Sequence, residues 1–454
     1  MTKNFSLENN FLELEFSDKR LKKRFFKIMD AFFNEPGSSI LSACGSREQA
    51  KAAYRFFAND TCSYEELRSS ISKSTIEKML HLPKEKILLI QDTTSISFGN
   101  RKGIDGMGYY CESEQKGMLV HSCIAVTQAG IPLGLVFQES FTRKEQKNKT
   151  ESKEQRKFRP IEEKESFRWL STLRECHIRI PNEVSKLTIC DREGDFYELF
   201  SDAEKQGERF LIRLTQNRPT QEGKKLFEQL KSSPVKGSLV LQIGRNPKEH
   251  LPRRKVKMDY HYETITIKKP QRRKEEHLKN SLTLTGIYVH ETTPKENLYW
   301  YLITNDKVIT ASDAEEQIRN YIQRWKIERF HYVLKSGCKI EEKQSRSYET
   351  LRQLTLLYSV IALQILNITY VGQLCPKLSA ELFLDEEEWK LLYCVARKTK
   401  QFSKENYLVE DMLYDLAVLG GRKGTPSDGT PGVVSVWKGL EKFFILLEYK
   451  DFLV

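Results

Sequence analysis

Two aspartates and one helical segment hold the residues of this chain whose types suit chemistry. Asp92 follows the apolar run in "KILLIQDTT" and Asp191 the one in "KLTICDREGD", so each is expected directly after a short buried strand. A carboxylate there lies at the carboxyl edge of a sheet, where open α/β sheets hold their ligands. A third carboxylate lies in "YIQRWKIERFHYVLKSGCKIEEKQ", residues 321–344, where Tyr321, Arg324, Glu328 and Lys335 follow one another at helical spacing. On one continuous helix all four fall within an arc of roughly 60°. Ile318, Ile322, Trp325, Phe330, Tyr332 and Leu334 wrap the rest of that helix. This predicts a partly buried helix with its charged stripe toward a cleft, rather than a solvated face with one Arg/Glu pair.

A single strand-end aspartate is commonly a turn or cap residue; three carboxylates with no His or Cys among them say more. Such a set suits hard, oxygen-preferring Mg²⁺ or Mn²⁺. Two such ions about 4 Å apart activate a water and stabilise the leaving oxygen in an in-line phosphodiester displacement. Arg324 and Lys335 are then placed to hold phosphates, Arg324 by a bidentate contact. The stripe is therefore expected to be a catalytic surface facing nucleic acid.

The elements that must position these residues follow from periodicity. The first ~80 residues are helical in pattern. Ser17 is the expected cap of a helix bearing Leu21, Phe25, Ile28, Met29, Phe32 and Phe33, and capping boxes open at Ser46 and Ser63. From Lys86 the order changes to three strands, a helix, a strand, a helix and a strand, an α/β layout. The second and third strands form an antiparallel pair turning at Ala129-Gly130, and the charged run from Arg143 to Pro160 is a loop. Residues 219–298 are an inserted β subdomain of short strands with basic turns at Arg253-Arg254-Lys255 and Arg272-Arg273-Lys274. "NLYWYLITN" returns to a buried strand, and the remainder is helical.

Composition bounds the class. At 454 residues the chain suggests two or three domains, and 39% hydrophobic content is enough for a sizeable core. A net charge of +12 with 62 interspersed acids describes a basic globular protein suited to a polyanion, not a basic tail. The nine cysteines are scattered and form no CxxC, and the eight histidines show no metal spacing, which argues for reduced thiols without a zinc site. The start lacks the apolar core of a signal peptide. Residues 353–374 carry no charge and are long enough to span a membrane. Gln353, Thr355, Ser359, Gln364, Asn367 and Thr369 make a buried core helix the expectation, in a cytoplasmic, nucleoid-associated protein with no membrane partner.

At these residues the chain resembles the DDE cut-and-paste transposases of the IS-four insertion-sequence family, Tn-five type. The matching stretches are "IQDTTSISF", "EKESFRWL", "CDREGDFY", "ERFLIRL" and "LYWYLIT", and the signature Y-x2-R-x3-E-x6-K fits at Tyr321, Arg324, Glu328 and Lys335. "GSREQAKAAYRFF" and "LGGRKG...PGVVSVWKGLEKF" extend the likeness toward both ends. The resemblance implies an α/β fold: an RNase H-like catalytic core over 81–365 with its β insertion at 219–298. A helical DNA-end-binding domain at 1–80 and a helical dimerisation domain at 366–454 would flank it. It further implies Asp92, Asp191 and Glu328 as catalytic ligands of two Mg²⁺ or Mn²⁺ ions. Tyr321, Arg324, Lys335, Arg213, Trp300 and Arg55 would be DNA contacts, Trp300 stacking on a flipped base. A homodimer would cleave double-stranded DNA through a hairpin and join the 3′ ends to target. The long basic loop after Thr142 and the variable insertion depart from the family pattern. A host nuclease on the same core, or an inactive end-binding regulator, would share many of these features.

Overall fold

The computed structural model describes residues 7–449 except 59–61, 83, 100, 102, 112–114, 144–151, 153–157, 244–253, 272, 274, 293–297 and 425–428. Most of the basic run after Thr142 lies outside the described residues. The N-terminal helices are α1 (Lys19–Asn34), α2 (Ile40–Ala43), α3 (Arg47–Ala58) and α4 (Tyr64–Leu80). Helix α1 buries Phe25, Ile28, Met29, Phe32 and Phe33 along one side. Its cap is Asp18, whose Oδ1 accepts from Arg20 N at 2.8 Å; Ser17 lies one residue too early, since it is Asp18 that takes the extended cap conformation. The Ser63/Glu66 capping box opens α4 as expected.

Among the described residues nine strands follow: β1 (Ile87–Ser97), β2 (Gly117–Thr127), β3 (Pro132–Phe141), β4 (Lys186–Cys190), β5 (Phe210–Arg213), β6 (Gly237–Ile243), β7 (Arg254–Lys268), β8 (Ser281–Glu291) and β9 (Tyr299–Thr304). Their hydrogen-bonded order is β3-β2-β1-β4-β5-β9-β8-β7-β6. β1, β4 and β5 run parallel, the arrangement that needs crossovers, and α5 (Phe167–Arg179) and α6 (Tyr197–Gln206) supply helices at those places. Helix α7 (Leu226–Ser232) lies between β5 and β6 in the chain; β9 pairs antiparallel with β5, and β8, β7 and β6 continue antiparallel beyond it. The strands of 219–298 are antiparallel and inserted between β5 and β9 in the chain, and they extend the main sheet, because β9 offers one edge to β5 and the other to β8. They are not all short: β7 has 15 residues and β8 has 11.

The basic turns are corrected as well. Arg254 and Lys255 lie in β7, and Arg254 pairs with Glu291 at 2.6 Å. Arg273 is buried and pairs with Glu198 at 2.6 Å, so its charge is neutralised inside the fold. Arg253, Arg272 and Lys274 lie outside the described residues.

The chain divides into two compact units. One comprises 86–92 and 150–325; the other comprises 1–85, 93–149 and 326–454. The core of the first gathers Trp169, Tyr197, Phe200, Phe210, Ile265 and Ile303. The second is organised on α10 (Tyr348–Leu374), apolar and long enough to cross a membrane, but with 78% of its apolar window buried in the protein. Its polar residues find partners: Gln138 Nε2 donates to Ser359 Oγ at 2.9 Å, Asn367 Nδ2 to Pro132 O at 2.8 Å and Gln353 Nε2 to Cys62 O at 3.1 Å. These bonds offset the desolvation that would otherwise oppose burial.

The last helices are α11 (Glu386–Arg397), α12 (Val409–Leu419) and α13 (Val433–Glu448). A Cβ on Gly439 would come 1.8 Å from Leu416 O, so only glycine lets α12 and α13 approach so closely.

Candidate active site

The carboxylates Asp92 and Asp191 belong to the same unit and come together through strand register. β1 pairs with β4 from Ile87↔Lys186 to Ile90↔Ile189. Two residues further along both strands stand Asp92 and Asp191, at equivalent positions just past the pairing. Asp191 follows β4 directly, as expected. Asp92 does not end its strand: β1 runs on through the β-branched Thr93, Thr94 and Ile96 to Ser97. What ends before Asp92, at Ile90, is the pairing with β4, so the carboxylate still emerges beside that strand's carboxyl end.

The turn after Asp191 is a tight 3₁₀ segment, Arg192–Gly194, with Asp191 Oδ1 accepting from Glu193 N at 2.8 Å. A Cβ on Gly194 would meet Cys190 Cβ at 2.6 Å, which is why glycine stands there. Cys190 is fully buried; burial, then the charges of Asp191 and Asp92, hold its thiol well above the ordinary range and therefore protonated.

Cationic and phenolic groups of the same unit surround the pair. Arg324 Nη1 lies 3.9 Å from Asp92 Oδ2, with both side chains about one-sixth exposed (16% and 17%). Tyr321 is 4% exposed; burial lifts its phenol above the ordinary value, Arg324 and Arg213 pull it back, and Asp191 adds to the lift. Burial lowers the Arg213 guanidinium from its usual value, with Arg192 and Arg324 acting in the same direction. Trp300, half-buried on β9, has its ring 5.8 Å from that of Tyr321 at 58°. Asp92, Asp191, Arg213, Trp300, Tyr321 and Arg324 thus share one unit.

The single helix expected from Tyr321 through Lys335 is replaced by shorter pieces. Helix α8 (Ala311–Ile322) ends, Gln323 and Arg324 make a turn, α9 (Trp325–Tyr332) begins, and Val333–Gly337 widens into a π-helix closed by Cys338 N→Val333 O at 2.8 Å. A turn and an i→i+5 segment each shift the rotational phase, so uniform 100° steps do not place the four residues. The flanking residues divide too: Ile318, Phe330 and Leu334 are buried, whereas Trp325 and Tyr332 are 57% and 40% exposed. Glu328, in the first turn of α9, and Lys335, in the π-helix and 3.7 Å from Glu341, belong to the other unit. Arg55 is exposed in the last turn of α3, also in that unit.

As a cation site, Asp92 and Asp191 offer two all-oxygen donors at one strand edge with no His or Cys, a chemistry that fits a hard divalent ion. Among the described residues no group of three or more His, Cys, Asp and Glu is arranged to hold a metal. Sequence reasoning missed Asp195. This buried carboxylate accepts from Thr215 N at 2.6 Å and Gln216 N at 2.8 Å and pairs with buried Arg218, tying the segment after β5, and with it Arg213, to the Asp191 turn. The signal was the second aspartate of "DREGD".

Comparisons with known proteins add independent information. A family profile described as transposase DNA-binding matches residues 5–62, and one described as transposase Tn5 dimerisation domain matches residues 360–452. The class these matches define is the transposases. Within it they bear out the likeness to the Tn5 type of the IS4 family, at the two ends of the chain. A cryo-EM structure of a piggyBac transposase synaptic complex with hairpin DNA aligns over 82% of this chain and 71% of that one, at 13% identity and a TM-score of 0.37, too distant to carry anything further.

Proposed function

We propose that this chain is a DDE transposase that cleaves double-stranded DNA at transposon ends and joins the 3′ ends to target, with an RNase H-like catalytic core. The observation that carries the reading is the register-matched pair Asp92 and Asp191 with Arg324 beside it, in a chain whose ends match transposase families. The strand order β3-β2-β1-β4-β5 with parallel β1, β4 and β5 supports the RNase H-like assignment.

Asp92 and Asp191, with Glu328 as the third carboxylate that the family resemblance implies, would hold Mg²⁺ or Mn²⁺. Such ions polarise a phosphate and lower the pKa of a bound water. The chain's own groups do the rest. Arg324 and Arg213 remain charged and grip phosphate oxygens, while the protonated Tyr321 phenol donates a hydrogen bond without repelling the backbone. Lys335 adds a further phosphate contact. Trp300 takes the face of a flipped base, as a hairpin intermediate requires. Helices of 1–80, with Arg55 exposed, bind the terminal repeats, 81–365 forms the core and 366–454 the homodimer contact. Much of "WKGLEKFFILL" packs within its own chain, since Trp437, Leu440, Phe443 and Phe444 are buried; Ile445, 46% exposed, is left for a partner.

The test uses a labelled duplex carrying the inverted repeats that flank the coding gene. With Mg²⁺ the protein should nick the end, and EDTA should abolish nicking. Asp92→Asn and Asp191→Asn should each lower the rate roughly 10⁴-fold, the scale of removing one member of a catalytic unit. Gel-shift affinity should stay within about twofold, because Lys/Arg contacts dominate binding. Normal cleavage by Asp191→Asn would sink the reading.

A further inference from the structure

Strand β9 carries aromatic side chains on both faces. Alternation puts Trp300 on the face that meets Tyr321, and Tyr299 and Tyr301 on the other. On that second face, wholly within the unit of 86–92 and 150–325, lies a cleft of ≈ 680 Å³. Its wall is a row of near-parallel rings. Phe227 and Tyr301 stack at 3.9 Å and 10°, and Tyr301 and Tyr288 at 4.7 Å and 17°. Tyr299 stands edge-on to Tyr301 at 5.9 Å and is 50% exposed. Arg192 and Lys231 line the cleft, both exposed, and so does Arg213; among the described lining residues Glu228 is the only acid.

We infer that this cleft binds unpaired nucleotides of a single DNA strand, with a base against Tyr299 and the backbone phosphates on Arg192, Arg213 and Lys231. Rings beside a cationic rim are the chemistry of single-strand binding, because every unpaired base offers a π-face and every linkage a charge. A duplex hides its base faces in the stack, so the rings select against it. Clefts of roughly 300–1,000 Å³ enclose drug-sized ligands, so this one has room to seat one base while the linkages on either side of it lie along the cationic rim. Burial raises the phenols of Tyr301 and Tyr288 from their ordinary value, so the wall stays neutral toward phosphate.

Arg213 ties the cleft to the carboxylates. Its Nη2 donates to Tyr299 O at 3.2 Å, and it is near enough to Tyr321 and Arg324 to feel both. A phosphate gripped there sits on the rim common to the cleft and the Asp92/Asp191 cluster. The inference rests on the proposed DNA cleavage at that cluster: a strand parted there has unpaired nucleotides to lodge. The cleft is distinct from the Trp300 surface, which lies on the opposite face of the strand.

The experiment is fluorescence anisotropy of labelled (dT)₆ with the full chain in EDTA, against a blunt duplex of the same label. Tyr299→Ala should weaken (dT)₆ binding roughly five- to a hundredfold, the scale of one lost base stack, and leave duplex binding unchanged. Tyr299→Phe should bind (dT)₆ like wild type, since the ring is kept. Lys231→Gln should flatten the salt dependence of log K by about 0.7, one single-strand phosphate contact. Unchanged melting temperatures establish that the variants fold. Three results would each overturn the inference: wild-type (dT)₆ affinity in Tyr299→Ala, equal losses for Phe and Ala, or a parallel loss of duplex binding. A failure of the cleavage reading would appear only in the nicking assay, leaving these equilibrium results to stand or fall separately.

Discussion

The strand-held aspartates and the helical segment 321–335 carry comparable chemistry but are built on different terms. Asp92 and Asp191 are placed by the parallel register of β1 and β4, which advances both strands together and keeps equivalent positions side by side. The segment with Tyr321, Arg324, Glu328 and Lys335 is broken by a turn and a π-helix, and its residues divide between the two compact units. A strand position survives an irregularity elsewhere in the sheet. A helical face does not survive an inserted turn, because each added residue rotates everything after it by about 100°. The difference teaches that the carboxylate pair is locked by folding, whereas the helical residues are set by how their separate pieces pack.

Three substitutions put that contrast under strain. The largest effect belongs to Asp195→Ala, which leaves Arg218 buried without its partner and releases the amides of Thr215 and Gln216. It should cost about 3–5 kcal/mol in urea unfolding, the scale of removing one partner of a buried ion pair. A loss under 1 kcal/mol would mean that the Asp191 turn is not held from beneath. Gly194→Ala should be milder, about 1–3 kcal/mol by overpacking against Cys190, and should lower cleavage along with stability because the Asp191 turn must shift. Full activity with unaltered melting would show that the turn yields freely.

The smallest stability change is expected on the helical side. Lys335, about one-third exposed, makes only a 3.7 Å contact with Glu341, so Lys335→Gln should alter unfolding by less than about 0.5 kcal/mol. Cleavage should still fall severalfold through the lost phosphate contact. A stability loss as large as that of Gly194→Ala would erase the distinction between the two regions.

Much of the parallel sheet and both aspartates were legible because buried strands leave continuous apolar runs bounded by polar turns, as in "KILLIQD" and "KLTICD". Ser63 and Glu66 were legible for a similarly local reason: a capping box lies within one helical turn. The buried character of α10 was legible from polar residues spaced through an apolar helix, though their partners Gln138, Pro132 and Cys62 are remote in sequence.

Local chemistry by itself determined where strands and caps form, and which residue types stand at their ends. Only the tertiary structure decided that the strands after Pro219 extend one sheet, that Arg273 is neutralised by Glu198, and that Asp195 anchors the segment bearing Arg213. It also decided that the helix expected from Tyr321 onward breaks at Gln323-Arg324. The physical reason is range. Propensity and periodicity act over a few residues, whereas edge pairing, burial of a charge and the phase of a broken helix depend on neighbours that arrive from elsewhere in the chain.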